Sequence, residues 1–160
     1  CSSANAAKTI YHTIRSIDTD PTHIVIAGYG EIRNMWEYED GVADMLGLYP
    51  YPAYNAESVE KELQQMLAII KAKTPPGKSP PPWIGIYQAF WSTPPKKSIG
   101  RLSTAEVLND VQLYMKYGAS GVVAFSIGAP SDVNMTAYND PVVQSQITAV
   151  SNWLNTSIGK

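Results

Sequence analysis

Polar and aromatic side chains follow four apolar segments of the sequence, at the point where each segment ends. In chain order these side chains are Tyr29 and Glu31, then Tyr49 and Tyr51, then Gln88, Phe90 and Trp91, and finally Ser126. Aromatic rings can stack on the C–H faces of sugars, while amides, hydroxyls and carboxylates bind sugar hydroxyls. The pattern therefore predicts a glycan-binding surface.

Three of these residues have specific chemical interpretations. Glu31 could act as a general acid or stabilise a cationic transition state, or it could be a solvated loop glutamate. Gln88 could donate a hydrogen bond to substrate, or it could be a buried amide that bridges neighbouring strands. Trp91 directly follows an apolar segment and is the stronger candidate for a sugar platform, whereas Trp36 is the weaker one.

The sequence contains no strong signature for a metal, a cofactor or a nucleophilic serine. The chain has one cysteine, and His12 and His23 lack the spacing of metal ligands, so we expect no metal site. The segment AGYGEI (27–32) lacks the third glycine of a dinucleotide fingerprint, and we expect no cofactor. Ser126 lies in AFSIG (124–128), which is not the Gly-x-Ser-x-Gly turn of hydrolases.

The elements that position these side chains alternate between helix and strand. We predict helices over residues 4–17, from a cap at Asn55 to about Thr74, from a Ser103/Glu106 capping box to Gly118, and from Asp140-Pro141 onward. Apolar segments at 23–28, 43–52, 83–90 and 121–126 predict the strands. Alternation of this kind predicts an α/β fold with a parallel sheet. An open doubly wound sheet and half of a (β/α)8 barrel both fit.

Four segments together resemble the second half, strands five to eight, of a glycoside hydrolase-like (β/α)8 TIM barrel. They are DPTHIVIAGYG (20–30), DMLGLYPYP (44–52), WIGIYQAFW (83–91) and KYGASGVVAFSI (116–127). The resemblance spans nearly the whole chain and implies a single-domain half-barrel over residues 1–160, with its site at the carboxyl ends of the strands.

The resemblance also implies where the catalytic carboxylates of such barrels lie. The acid/base glutamate follows strand four, which precedes Cys1 in this interpretation. The nucleophile position at the end of strand seven corresponds to Gln88, and an amide cannot be the anionic nucleophile of a two-carboxylate mechanism. We therefore expect a carbohydrate-active barrel segment that contributes one wall of a glycan cleft. The alternative is a non-catalytic glycan-binding or self-associating module of the same fold.

Composition limits the partners and the location of the chain. A net charge of −2 with 12 scattered Lys and Arg residues argues against nucleic acid, and no apolar run is long enough to span a membrane. Four parallel strands leave open edges, so we expect either an N-terminal half-barrel or a second copy as partner. Asn134 and Asn155 fit the glycosylation pattern, which favours a secreted or cell-surface protein. Cys1 resembles a lipidated terminus, but we favour a simple start of the chain.

Overall fold

A computed structural model describes residues 4–51, 58–92, 99–125, 135–136 and 139–157. Within these ranges the helices are α1 (Ala4–Ile17), α2 (Val59–Lys73), α3 (Thr104–Lys116) and α4 (Pro141–Ser157). The strands are β1 (Ile26–Tyr29), β2 (Met45–Leu48), β3 (Trp83–Gln88), β4 (Phe90–Trp91), β5 (Val122–Phe125) and β6 (Met135–Thr136). A 3-10 helix, Ile32–Glu37, follows β1.

The main sheet has the strand order β1-β2-β3-β5. β1 pairs with β2 and β3 pairs with β5, both in parallel, so the predicted α/β class with a parallel sheet is confirmed. The more specific half-barrel architecture stays a prediction. β4 and β6 form a separate antiparallel pair that the sequence did not predict.

The chain separates into two compact units, Cys1–Ile84 and Gly85–Lys160. In the first unit the sheet has a buried side, where Leu46 and Leu48 are fully buried and the Tyr29 ring meets the Tyr38 ring edge-on at 5.9 Å. Because side chains alternate along a strand, Ile26 lies on the opposite side, and it is 48% exposed. The described part of this unit therefore covers one side of β1 with apolar residues and leaves Ile26 open.

The second unit has the same asymmetry. Gly85 on β3 packs against the ring of Tyr114 on α3, so the glycine makes room for a buried aromatic side chain. α3 also packs on α4. On β5, Val123 is 47% exposed and Phe125 is 45% exposed, whereas the alternate residues Val122 and Ala124 are half-buried.

Helix ends follow from local side-chain chemistry. The Ser103 hydroxyl accepts the Glu106 N–H and the Glu106 carboxylate accepts the Ser103 N–H, which confirms the predicted capping box of α3. Gly118 follows α3 with φ +88°, a conformation that favours glycine. The N-cap of α2 is Ser58, which accepts the Lys61 N–H, so the predicted cap at Asn55 was wrong. Asn55 itself lies outside the described residues.

Candidate functional site

Two groups of the predicted site residues lie in different units, and each is described within its own unit. In the first unit, Tyr49 lies at the end of β2, and its backbone N–H donates to the Tyr29 carbonyl at 3.0 Å. The Tyr49 ring packs on the backbone of Gly28 and Gly30, where any Cβ atom would meet it. At position 30 the half-buried ring therefore occupies space that only glycine leaves, and at position 28 a Cβ atom would make a tight contact with it.

Tyr29 and Tyr51 are more deeply buried than a binding surface requires. Tyr29 is 8% exposed and Tyr51 is 5% exposed. The Tyr51 ring lies 5.4 Å from the Tyr49 ring, at a tilt of 43°. Both side chains pack in the protein and leave little of their rings open to a ligand, so Tyr49 is the more accessible tyrosine of the three.

Glu31 pairs with a neighbouring cation. Its Oε1 atom accepts a hydrogen bond from Arg33 Nη2 at 3.0 Å, and its Oε2 atom contacts Arg33 Nε. Burial and, to a smaller extent, the nearby charge of Glu31 raise the pKa of the Tyr49 hydroxyl. Glu31 thus lies near Tyr49 with both carboxylate oxygens bound by Arg33, and its role in acid catalysis stays a prediction.

In the second unit, Gln88 ends β3 and is buried, with 2% of the residue exposed. Its amide nitrogen donates to the Phe90 carbonyl at 3.0 Å and to the Gly100 carbonyl at 2.9 Å. Because both partners are acceptors, the nitrogen must face them, and the side-chain oxygen Oε1 points elsewhere. No donor among the described residues reaches Oε1. The Gln88 donor hydrogens are thus bound by backbone carbonyls, in line with the buried-amide interpretation, and Oε1 is the atom left as an acceptor.

Trp91 lies three residues beyond Gln88, on the short strand β4. Its indole N–H donates to Asp140 Oδ2, and the guanidinium carbon of Arg101 lies 5.7 Å from its ring centroid, within cation–π range. Burial by itself would raise the pKa of Asp140, but the hydrogen bonds from Trp91 and Val142 and the charge of Arg101 hold that pKa below its ordinary value. The half-buried indole is therefore fixed by an ionised carboxylate.

Two phenylalanines extend this group, Phe90 on β4 and Phe125 at the carboxyl end of β5. Phe90 is buried and meets the ring of Phe125 edge-on at 5.8 Å. Phe125 is the register partner of Gln88. We call Gln88, Trp91, Phe125 and Asp140 the β3-end cluster. Ser126, the predicted residue after β5, lies outside the described residues.

The remaining sequence predictions concern glycosylation, metal binding and membrane insertion. Asn155 is exposed on the last turns of α4, and Asn134 lies outside the described residues. Among the described residues, no group of three or more His, Cys, Asp and Glu side chains could hold a metal ion. None of the described helices has the length and apolar character needed to cross a lipid bilayer.

Sequence reasoning missed Asp140 and Arg101 as members of a site. Asp140 was interpreted only as the start of a helix, because its contact with Trp91 joins residues 49 positions apart. Arg101 has no motif around it. An aspartate at a helix start commits one carboxylate oxygen to the helix, and the second oxygen is available for a distant donor. The second carboxylate oxygen of Asp140 was therefore the sequence feature that could have indicated a distant partner.

Comparison with known proteins gives no family assignment. No protein-family model matches the chain, and no curated protein matches it.

Proposed function

We propose that the chain is a carbohydrate-active protein, a glycoside hydrolase-like barrel segment that contributes one wall of a glycan cleft. The observation that carries this proposal is the Trp91 indole, a half-buried aromatic side chain beyond the end of β3 that contacts Asp140 and Arg101. Gln88 Oε1, an acceptor with no donor among the described residues, lies deeper, since Gln88 is 2% exposed. Leaving such an oxygen unpaired costs about 1–3 kcal/mol, so a ligand hydroxyl that displaced the side chains covering it would gain accordingly.

The surroundings of Gln88 suit a pyranose ring. The half-buried indole of Trp91 and the exposed ring of Phe125 supply apolar area for the C–H face of a sugar. The Gln88 oxygen is held in place by two backbone contacts of the same amide. A rigid acceptor beside aromatic rings recognises a hydroxylated apolar surface, which is the chemistry of a glycan.

Titration of the ¹⁵N-labelled chain with a panel of neutral oligosaccharides tests the proposal. We expect one class to shift the Gln88 side-chain amide signals and the Trp91 indole signal saturably, and Trp91→Ala to abolish the binding. Trp153→Ala on α4 is the matched control and should bind as the parent does. A folded parent chain whose two signals do not respond to any oligosaccharide at millimolar concentration would refute the proposal.

Catalysis by Glu31 is a separate hypothesis within this proposal. If the chain hydrolyses a glycan alone or with an added N-terminal half-barrel, Glu31→Gln should abolish hydrolysis and leave oligosaccharide binding unchanged. If Glu31→Gln still hydrolyses the glycan and still binds it, Glu31 is not a catalytic residue.

The alternative function is a self-associating module of the same fold, and one observation favours it. Ile10, Ile14 and Ile17 form a stripe at helical spacing on α1, and they are 47%, 37% and 81% exposed. A second copy of the chain could cover this stripe. Light scattering after size-exclusion chromatography decides the question, because a monomer at high micromolar concentration contradicts self-association.

A further inference from the structure

The position of Trp91 depends on two weak local elements and one strong contact. β4 has two residues, and Trp91 pairs in it with Met135 of β6. The contact with Asp140 is charge-assisted, since an ionised carboxylate accepts the indole N–H, and such hydrogen bonds are about twice as strong as neutral ones. We expect this contact, more than the two-residue strand pair, to orient the ring.

Asp140 is built to hold two groups at once. Its Oδ1 atom accepts the Val142 N–H at 2.8 Å at the start of α4, and its Oδ2 atom accepts the Trp91 indole N–H. The side chain is nearly buried, with 6% of the residue exposed. The first contact fixes the carboxylate at the start of a helix of 17 residues. The second contact then restricts the orientation of the indole.

We propose that Asp140 is a positioning residue that locks the indole of Trp91 as the stacking platform of the glycan site. The inference rests on the proposed function and adds the residue that fixes the geometry of its binding surface. A tryptophan without this contact could rotate about two side-chain torsions, and a ligand would have to immobilise it on binding. We therefore expect loss of the contact to weaken glycan binding by about tenfold.

Asp140→Asn separates the two contacts of the carboxylate. Asparagine caps helices as well as aspartate does, so its oxygen can keep the Val142 contact. Its amide group then presents N–H donors to the indole N–H, and this contact is lost. Ser58→Asn makes a comparable N-cap exchange at α2 and serves as the matched control.

The first measurement needs no glycan. In ¹H–¹⁵N spectra the Trp91 indole signal is the one that disappears in Trp91→Phe. We expect Asp140→Asn to move this signal and to speed its exchange with water, while Ser58→Asn leaves it in place. An unmoved Trp91 signal in Asp140→Asn overturns the proposal, whatever the chain binds.

The second measurement is a double-mutant cycle on oligosaccharide affinity. Phenylalanine at position 91 has no N–H, so Asp140→Asn should weaken binding about tenfold in the parent and leave affinity unchanged in Trp91→Phe. Equal losses in both backgrounds would mean a general structural role and would overturn the proposal. If the parent binds no oligosaccharide, the proposed function and the platform role fail together, while the indole signal still decides whether Asp140 holds Trp91.

Discussion

Asp110 on α3 provides a quantitative prediction. The residue is 6% exposed, and burial, followed by repulsion from Glu106, raises the pKa of its carboxyl to about 7 from an ordinary 3.8. The native state therefore holds this proton more tightly than the unfolded chain. Stability from this group is present at low pH, falls as the pH rises from about 4 to about 7, and levels off above that.

The pKa difference sets the size of the effect. At 1.36 kcal/mol per pKa unit, ionising Asp110 in the native state costs at most about 4 kcal/mol relative to the unfolded chain. Asp110→Asn removes the ionisation and keeps a polar side chain of similar volume. We expect the variant to match the parent near pH 4 and to exceed its free energy of unfolding by about 2–4 kcal/mol at pH 8.

Urea unfolding of both chains at pH 4–8, followed by circular dichroism, measures this difference. Glu106→Gln is an informative companion variant, because glutamine can keep the capping box while the repulsion that raises the pKa of Asp110 is removed; part of the pH dependence of the parent should then disappear. Hydrogen bonds from Ser103 lower the pKa of Glu106 below its ordinary 4.5, so the loss of stability from that group with falling pH lies below about pH 5. Parallel stability curves for Asp110→Asn and the parent would refute the reasoning.

Two further predictions concern the first unit. Gly30→Ala places a Cβ atom against the ring of Tyr49 and should destabilise the chain by about 1–3 kcal/mol in urea unfolding. Gly100→Ala, whose Cβ would meet no described residue within 4 Å apart from its chain neighbours, should be nearly neutral; equal effects would contradict the packing argument. Asp44 accepts hydrogen bonds from Arg15, from the Tyr11 hydroxyl and from the Val25 N–H, so Asp44→Asn should lower the free energy of unfolding at pH 7 by about 1–3 kcal/mol. Burial by itself would raise the pKa of the Asp44 carboxyl, but these hydrogen bonds hold that pKa below its ordinary value. The difference in unfolding free energy between the parent and Asp44→Asn should therefore shrink as the pH falls below about 4. A difference that stays constant down to pH 2 would rule out this ionic role.

The order of helices and strands could be predicted from the sequence, because apolar periodicity over ten or more residues reports burial directly. Strand bounds were less accurate. The first strand was predicted over 23–28 and lies at Ile26–Tyr29. The Asp20 carboxylate accepts the Thr22 N–H at 2.8 Å, so the chain before the strand forms a turn. The first strand therefore begins after this turn, three residues later than the apolar composition of residues 23–28 predicts.

The candidate site could be predicted only in its local parts. Gln88 and Trp91 stand out because they directly follow an apolar strand. The pairing of β4 with β6 did not stand out, because two residues carry no periodicity and the paired residues are 44 and 46 positions apart. The contact between Trp91 and Asp140 is equally non-local. Residues that a site recruits from distant parts of the chain leave no pattern in their own neighbourhood.

The packing of Tyr49 on Gly28 and Gly30 also constrains how this sequence can change over time. Because the ring fills the space that a side chain at position 30 would need, a larger residue at position 30 requires a smaller residue at position 49. The two positions directly follow Tyr29 and Leu48, the paired last residues of β1 and β2, and the Tyr49 N–H donates to the Tyr29 carbonyl. In diverged copies of this chain, we expect positions 30 and 49 to be substituted together or not at all.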